Sequence, residues 1–172
     1  NDANTLGGSQ QNPRGIQISK STNITLYKIT FKNPPNFHVS INTVNGLTVW
    51  DMKIVTPYSA RNTDGIDPGN ATNVTIKNSW ISDGDDNVAV GAPNAASANI
   101  SVVNNRFFAG HGESIGSYTS GGITNVLFDH NQMYGDADVD GSNSTAIRIK
   151  SANVRGGVVQ NIQHYTSCFV NH

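Results

Sequence analysis

Asn73-Val74-Thr75-Ile76 is one copy of a short pattern that recurs along the chain. In each copy an asparagine or a small residue is followed by an apolar residue, a spacer and, in most copies, a further apolar residue. The other copies are Asn23-Ile24-Thr25-Leu26, Gly46-Leu47-Thr48-Val49, Asn99-Ile100-Ser101-Val102, Asn125-Val126-Leu127-Phe128 and Gly156-Gly157-Val158-Val159. Most lead to a later apolar residue: Ile29, Ile54, Ile81, Phe107 or Met133. Self-similarity at a period of roughly 20–50 residues is the signature of a repeat architecture.

The alternation of apolar residues predicts strands, because successive strand side chains point to opposite faces. We therefore predict an all-β fold, a right-handed parallel β-helix of about six coils stacked at about 4.8 Å. The asparagines that begin several copies are expected to adopt left-handed backbone and to hydrogen-bond between coils. A second family of short strands should form a second parallel sheet; its members are Gly15–Ile18, Phe37–Ile41, Gly65–Asp67, Val88–Val90, Ser114–Gly116 and Ala146–Lys150.

Composition narrows the classes of function. The chain has 172 residues, which is enough for one domain, and a formal net charge of −1 from 11 basic and 12 acidic residues. That balance predicts neither a nucleic-acid partner nor attachment to an anionic membrane. No apolar run approaches the roughly 18 residues that a membrane span requires. Cys168 is the single cysteine, so no disulfide within the chain is possible.

Acidic residues concentrate in the motifs Asn62-Thr63-Asp64-Gly65-Ile66-Asp67 and Gly84-Asp85-Asp86-Asn87, although charged residues make up only 13% of the chain. Either motif alone is typical of a solvated turn. Their shared phase in the repeat instead predicts one groove across four neighbouring coils, containing Asp64, Asp85, Asp86, His111, Arg148 and Lys150. Closely spaced carboxylates raise the proton affinity of at least one member. A protonated acid beside ionised carboxylates is what glycoside hydrolysis requires, and nearby cations favour an anionic sugar polymer.

Four motifs, in this order, resemble the signature motifs of the polygalacturonase family of glycoside hydrolases. They are Asn-Thr-Asp-Gly-Ile-Asp at 62–67, Gly-Asp-Asp at 84–86, Gly-His-Gly at 110–112 and Arg-Ile-Lys at 148–150. The resemblance implies a parallel β-helix that hydrolyses α-1,4 links between galacturonic acid units, with inversion and without a metal or other cofactor. It also implies a secreted enzyme that acts on a pectic polysaccharide and is monomeric in its full-length form.

The resemblance also implies a role for each matching residue. Asp85 would be the general acid, Asp64 and Asp86 would hold and activate the attacking water, and His111 would support the acid. Arg148 and Lys150 would bind a carboxylate of the substrate, and Asn62 would shape the cleft. Asn87 in place of a cysteine favours a bacterial-type member, whereas Glu113 is unusual at an apolar position and is expected to lie near the site and affect which sugar is accepted.

Length is the largest departure from the family, whose members are about twice this size. We therefore expect residues 1–172 to form one partial domain that lacks terminal coils at both ends, and no signal peptide is recognisable in it. Asp136-Ala137-Asp138-Val139-Asp140-Gly141 matches the first half of a calcium loop, but Ile147 occupies the position of the usual glutamate. The sequence therefore leaves a calcium site at Asp136, Asp138 and Asp140 open.

Several alternatives also stay open. A hydrolase of rhamnogalacturonan or xylogalacturonan would carry a similar acidic groove. A lyase-like β-helix would eliminate rather than hydrolyse and would need calcium. A carbohydrate-binding solenoid would stack the same acidic residues without catalysis. The sequence does not distinguish attack within the polymer from attack at its end.

Overall fold

The computed structural model describes residues 12–135 and 145–170, and within these ranges the regular structure consists of strands in two parallel sheets. The larger sheet contains β1 (Ile16–Tyr27), β3 (Val39–Trp50), β5 (Ile66–Lys77), β7 (Val88–Val90), β8 (Ser97–Val103), β10 (Glu113–Ile115), β11 (Ile123–Asp129), β13 (Ile147–Ile149) and β14 (Val159–Tyr165). The six-stranded sheet contains β2 (Thr30–Lys32), β4 (Lys53–Val55), β6 (Trp80–Ser82), β9 (Arg106–Phe107), β12 (Gln132–Tyr134) and β15 (Cys168–Val170). These strands form about five turns of a solenoid, which confirms the predicted parallel β-helix, with one turn fewer than the six coils expected.

The apolar core consists of inward-facing columns that cross the coils in register. Leu47, Val74, Ile100 and Val126 occupy equivalent positions on successive strands and are each at most 1% exposed. In the smaller sheet, Ile54, Ile81, Phe107 and Met133 form the facing column. Burial of such columns supplies the main stabilisation of a solenoid, because each coil contacts only its neighbours.

The predicted second sheet is wrong in its membership. In three coils the second strand family continues into the first, so that β1, β3 and β5 each contain both families within one strand of 12 residues. The strands bend without ending because residues such as Asn70 and Asn73 adopt positive φ angles of 50° and 56°. The separate sheet is formed instead by the later apolar residues of each copy, with Phe31 rather than Ile29 opposite Ile54.

The predicted position of the sixth copy of the repeat, at Gly156–Val159, is also wrong. Val126 pairs with Ile162, so the copy begins at Asn161 and not at Gly156. An apolar pattern could not locate it, because the inward position opposite Phe128 is taken by His164.

The predicted asparagine ladder is confirmed. Side-chain hydrogen bonds run from Asn73 to Asn45, from Asn99 to Asn73, from Asn125 to Asn99 and from Asn161 to Asn125, at 2.7–3.2 Å. Four of the five members of this ladder adopt the predicted left-handed backbone with positive φ: Asn73, Asn99, Asn125 and Asn161. No helix of the described residues is long and apolar enough to cross a membrane.

We expect the buried ladder of Ser79, Asn105 and Asn131 to be more important for stability than the exposed one. Asn105 is fully buried, accepts a hydrogen bond from the Ser79 backbone N–H at 2.9 Å and donates to the Ile76 carbonyl at 3.1 Å. Asn105→Ala leaves both groups unpaired, so the free energy of unfolding should fall by about 2–4 kcal/mol in chemical denaturation. Asn45→Ala, which removes an exposed member of the other ladder, is the control, and an equally small loss in both variants would contradict this account.

Candidate active site

An open groove of about 360 Å³ runs across the outer face of the larger sheet. Asp64, Asp67, Asp85 and Asp86 line its centre, and Lys150 lies on its wall. The register explains this grouping. Ile66, Val88 and Glu113 pair on successive strands, so the residues two positions before them, Asp64, Asp86 and His111, fall in one column.

Asp86 is the most heavily contacted carboxylate of the groove. Its Oδ2 accepts a hydrogen bond from Lys150 Nζ at 2.8 Å, and its Oδ1 accepts from the Arg148 guanidinium and from Ser114 Oγ at 2.7 Å. Arg148 Nε also donates to Ser114 Oγ at 3.3 Å. Since Asp86 is only 3% exposed, these contacts fix the orientation of its carboxyl group.

Asp85 lies beside Asp86 and is more accessible, with 24% of its side chain exposed. Its Oδ1 is 3.1 Å from His111 Nδ1 and accepts from the Asp86 N–H, while its Oδ2 accepts from the Asn62 N–H at 3.3 Å. Burial alone would raise the pKa of Asp85, but the His111 contact and these backbone donors together lower it below its ordinary value. The carboxyl group is therefore ionised in the free groove at neutral pH.

His111 Nδ1 lies 3.1 Å from both Asp85 Oδ1 and an Arg148 guanidinium nitrogen. One ring nitrogen cannot donate to Asp85 and accept from Arg148 at the same time.

The loop that carries His111 is held by Asn87. Asn87, which is fully buried, accepts from the Gly112 N–H at 3.0 Å and donates to the Ala109 carbonyl at 2.9 Å. Asn87 therefore fixes both ends of the loop that carries His111. A Cβ at Gly110 would overlap the amide of Asn87, which explains the glycine there.

Asp64 differs from Asp85 in its electrostatics. Burial raises its pKa well above the ordinary value, and the charges of Asp85 and Asp86 raise it further. The pKa of Asp67 is also raised well above its ordinary value, first by burial and then by Asp64 and the other groove carboxylates. The free groove therefore retains protons on Asp64 and Asp67 at a pH where Asp85 is ionised.

The loop that carries Asp64 is held from the coil before it. His38 is fully buried, and its Nδ1 is 2.9 Å from the Asp64 carbonyl oxygen, while its Nε2 is 2.9 Å from Thr56 Oγ1. Burial lowers the pKa of His38 to about 4. The ring is therefore neutral at pH 7, with Nδ1–H donating to Asp64 and Nε2 accepting from Thr56.

The expectation that Glu113 places a carboxylate near the site is wrong. Glu113 faces the core because it is in register with the inward residues Val88 and Ile147, and it is fully buried. Its carboxylate accepts from Asn131 Nδ2 at 2.7 Å and lies 3.0 Å from His164 Nδ1. Burial raises the pKa of Glu113, and these two partners partly offset the effect.

Several residues of the site were not assigned a role from the sequence. Asp67 belongs to the first motif, and the alternation of inward and outward positions could have placed it in the groove. Ser114 faces outward by the same reasoning. Arg14, Phe37 and Tyr118 also line the groove, but they lie on the segments that flank the strands, where no repeat pattern specifies direction.

The described residues include one grouping with metal-binding geometry. One ligand atom from each of Asp85, Asp86 and His111 lies within 4.8 Å of the others. Arg148 and Lys150 already contact Asp86, so the local positive charge opposes the addition of a divalent cation at this point. The suggested calcium loop at Asp136, Asp138 and Asp140 lies outside the residues that the structure describes.

The parallel β-helix with its outward acidic groove places the chain among the solenoid proteins, and comparison with known proteins identifies the family. The model of glycosyl hydrolases family 28 matches residues 1–171. A polygalacturonase of Ralstonia nicotianae is 40% identical over 97% of this chain and 36% of its own length. An endo-polygalacturonase of Pectobacterium carotovorum subsp. carotovorum is 46% identical over 95% of this chain and 39% of its own length.

A solved structure gives the same result. The polygalacturonase from Erwinia carotovora ssp. carotovora superposes with a TM-score of 0.82 at 44% identity, covering 91% of this chain and 40% of that one. The chain thus belongs to glycosyl hydrolases family 28 and resembles bacterial members, and it spans less than half the length of these relatives.

The raised pKa of Asp83 predicts a dependence of stability on pH. Asp83 is fully buried beneath the groove, and burial, with a contribution from Asp64, raises its pKa well above the ordinary value. A raised folded-state pKa contributes stability below the unfolded pKa, and this contribution is lost as pH rises through the folded-state pKa. The variant Asp83→Asn lacks this titration. Its free energy of unfolding minus that of wild type, measured by chemical denaturation, should therefore increase from about pH 4 to about pH 8.

The exposed Asp51→Asn serves as the matched control for Asp83→Asn, because it removes a carboxylate from the surface outside the groove. A difference between wild type and Asp83→Asn that stays constant across this pH range would show that Asp83 ionises normally.

Proposed function

We propose that this chain supplies the catalytic groove of an enzyme that hydrolyses α-1,4 links between galacturonic acid units of pectic polysaccharides, with inversion. The observation that carries the proposal is the convergence of Asp64, Asp85 and Asp86 with Arg148 and Lys150 on one groove. Membership of family 28 and the names of the bacterial relatives favour this substrate over other anionic glycans.

In this mechanism Asp85 donates a proton to the oxygen of the departing sugar. Asp64, after it has released to solvent the proton that it retains in the free groove, binds a water molecule together with Asp86 on the opposite side of the sugar ring. One of these two carboxylates accepts a proton as the water attacks the anomeric carbon. The bond between the anomeric carbon and the bridging oxygen breaks while the bond to water forms, so the configuration inverts. Asp85 suits the role of acid because it is more exposed than Asp64, which is 8% exposed.

The lowered pKa of Asp85 means that this carboxyl group must gain its proton after the substrate binds. His111 can change the proton affinity of Asp85, because its Nδ1 lies equally close to Asp85 and to Arg148 and can contact either residue. When Nδ1 carries the proton, it stabilises the ionised carboxylate. When the imidazole proton lies on Nε2, the bare Nδ1 accepts from Arg148 instead. Asp85, whose side chain is 24% exposed, can then take up a proton from solvent.

Arg148 and Lys150 are proposed to hold a carboxylate of the bound sugar, and Asn62 to shape the adjacent wall. Lys150 is 35% exposed at its side chain and lines the groove, so it is accessible to a ligand while it contacts Asp86. An ammonium group with three donors can serve both carboxylates. The pairing of both cations with Asp86 also lets them orient the residue proposed to hold the water.

We also propose that these residues act within a longer secreted β-helix that is monomeric. The chain spans 36% and 39% of the bacterial relatives, so the activity and substrate proposed here belong to the whole protein. The described residues show no membrane-spanning helix.

Replacement of the proposed acid or base should abolish hydrolysis while the fold is retained. Asp85→Asn and Asp64→Asn should each lower the rate of reducing-end release from polygalacturonate by about 10²–10⁴-fold, because each removes a proton-transfer group. The rates should be measured on the full-length natural polypeptide, with circular dichroism to confirm folding. Asp51→Asn, which removes an exposed carboxylate, should retain the wild-type rate.

A chelator should leave this rate unchanged, and the products should carry no new ultraviolet absorbance. Unsaturated products that disappear on chelation would show a calcium-dependent lyase instead. A folded wild-type protein that binds polygalacturonate without cutting it would show a binding solenoid. Activity that survives both substitutions would exclude hydrolysis by these residues.

A further inference from the structure

Two arginines lie at opposite ends of the groove, and each rests on an aromatic ring. Arg14 lies over Phe37 at 5.2 Å from the ring centroid, and Arg155 lies over Tyr118 at 3.8 Å. Arg14, Phe37 and Tyr118 line the groove, and Arg155 also donates to Ser117, which is a lining residue as well. The two pairs belong to coils about 20 Å apart, which leaves room for several sugar units between them.

These arginines differ from the cations at the centre of the groove. Arg148 and Lys150 both contact Asp86, so much of their charge is already compensated. Among residues 12–135 and 145–170, neither Arg14 nor Arg155 forms an ion pair with a carboxylate. Their charge is therefore available to a ligand.

The stacking also orients these arginines for recognition. A guanidinium group that rests on an aromatic ring uses its face for that contact and keeps its N–H edge available. The edge presents parallel donors that fit a carboxylate in a bidentate manner. Tyr118 is 55% exposed, so this pair is accessible from solvent.

We propose that the pairs Arg14–Phe37 and Arg155–Tyr118 are carboxylate-binding subsites at the two ends of the groove, which hold uronate units on either side of the cleaved bond. This inference rests on the proposed function, because it concerns the same anionic polymer. Each unit of the polymer carries a carboxylate, and a cation at each end of the groove can pair with the units that lie beyond the reach of Arg148 and Lys150. A chain held at both ends is cut in its interior.

The inference is tested by the affinity for an oligogalacturonate long enough to span the groove, measured by calorimetry at low salt. All proteins carry Asp85→Asn to prevent turnover. Arg14→Gln and Arg155→Gln should each raise Kd about fivefold, and the double variant about 25-fold, because the two sites are too distant to couple. The fully methyl-esterified oligomer, which lacks charge, should bind all of these proteins equally.

Arg106→Gln is the matched control, since Arg106 is exposed on β9 in the other sheet, and it should leave Kd unchanged. A double variant with the Kd of its parent would overturn the inference, and an effect at one end only would overturn its two-ended form. If the wild-type enzyme cleaves polygalacturonate while these variants bind normally, the proposed function stands and this inference alone fails. If the wild-type protein does not cut polygalacturonate and the Asp85→Asn parent does not bind the oligomer, the proposed function fails first.

Discussion

The structure depends on the in-register parallel pairing of β5, β7, β10 and β13. The main-chain hydrogen bonds between these strands place Ile66, Val88 and Glu113 in one inward column. The residues just before this column, Asp64, Asp86 and His111, must then follow one another along the outside. A shift of one residue in any strand would exchange inward and outward positions and separate the acidic residues from one another. The apolar core and the acidic groove are therefore two consequences of a single register.

The charges of the groove are unequal because their surroundings differ. Asp86 is oriented by Arg148, Lys150 and Ser114, whereas Asp64 is buried with fewer partners, so its pKa rises well above the ordinary value. The pKa of Asp85 is lowered and that of Asp64 is raised, and neighbouring carboxylates with opposite pKa shifts are the arrangement that acid–base catalysis uses. In the free groove, however, the proton lies on Asp64 and not on Asp85, so the proposed mechanism requires Asp64 to lose a proton and Asp85 to gain one when the substrate binds. His111 contacts Asp85 and therefore takes part in the second of these changes. Buried His38 and Asn87 contribute by holding the loops that carry Asp64 and His111.

The repeat pattern in the sequence predicted the fold and the outward acidic column, but it did not predict the sheet membership or the burial of Glu113. The parallel β-helix and the shared column of Asp64, Asp86 and His111 follow from apolar spacing, because inward residues must alternate. The sheet membership was wrong because Asn70 and Asn73 bend a strand without ending it, which apolar spacing does not reveal. Glu113 was misplaced because a carboxylate is rarely buried, and its partners Asn131 and His164 come from coils that sequence alone does not align.

The most direct test of this account is a crystal structure of the Asp85→Asn protein with a bound oligogalacturonate. The account predicts that the sugar chain lies along the groove, with the bridging oxygen of one link within hydrogen-bond distance of residue 85. A water molecule should lie between Asp64 and Asp86, and a sugar carboxylate should contact Lys150. A sugar chain bound to the six-stranded sheet, or one in the groove whose links all lie beyond reach of residue 85, would contradict the account.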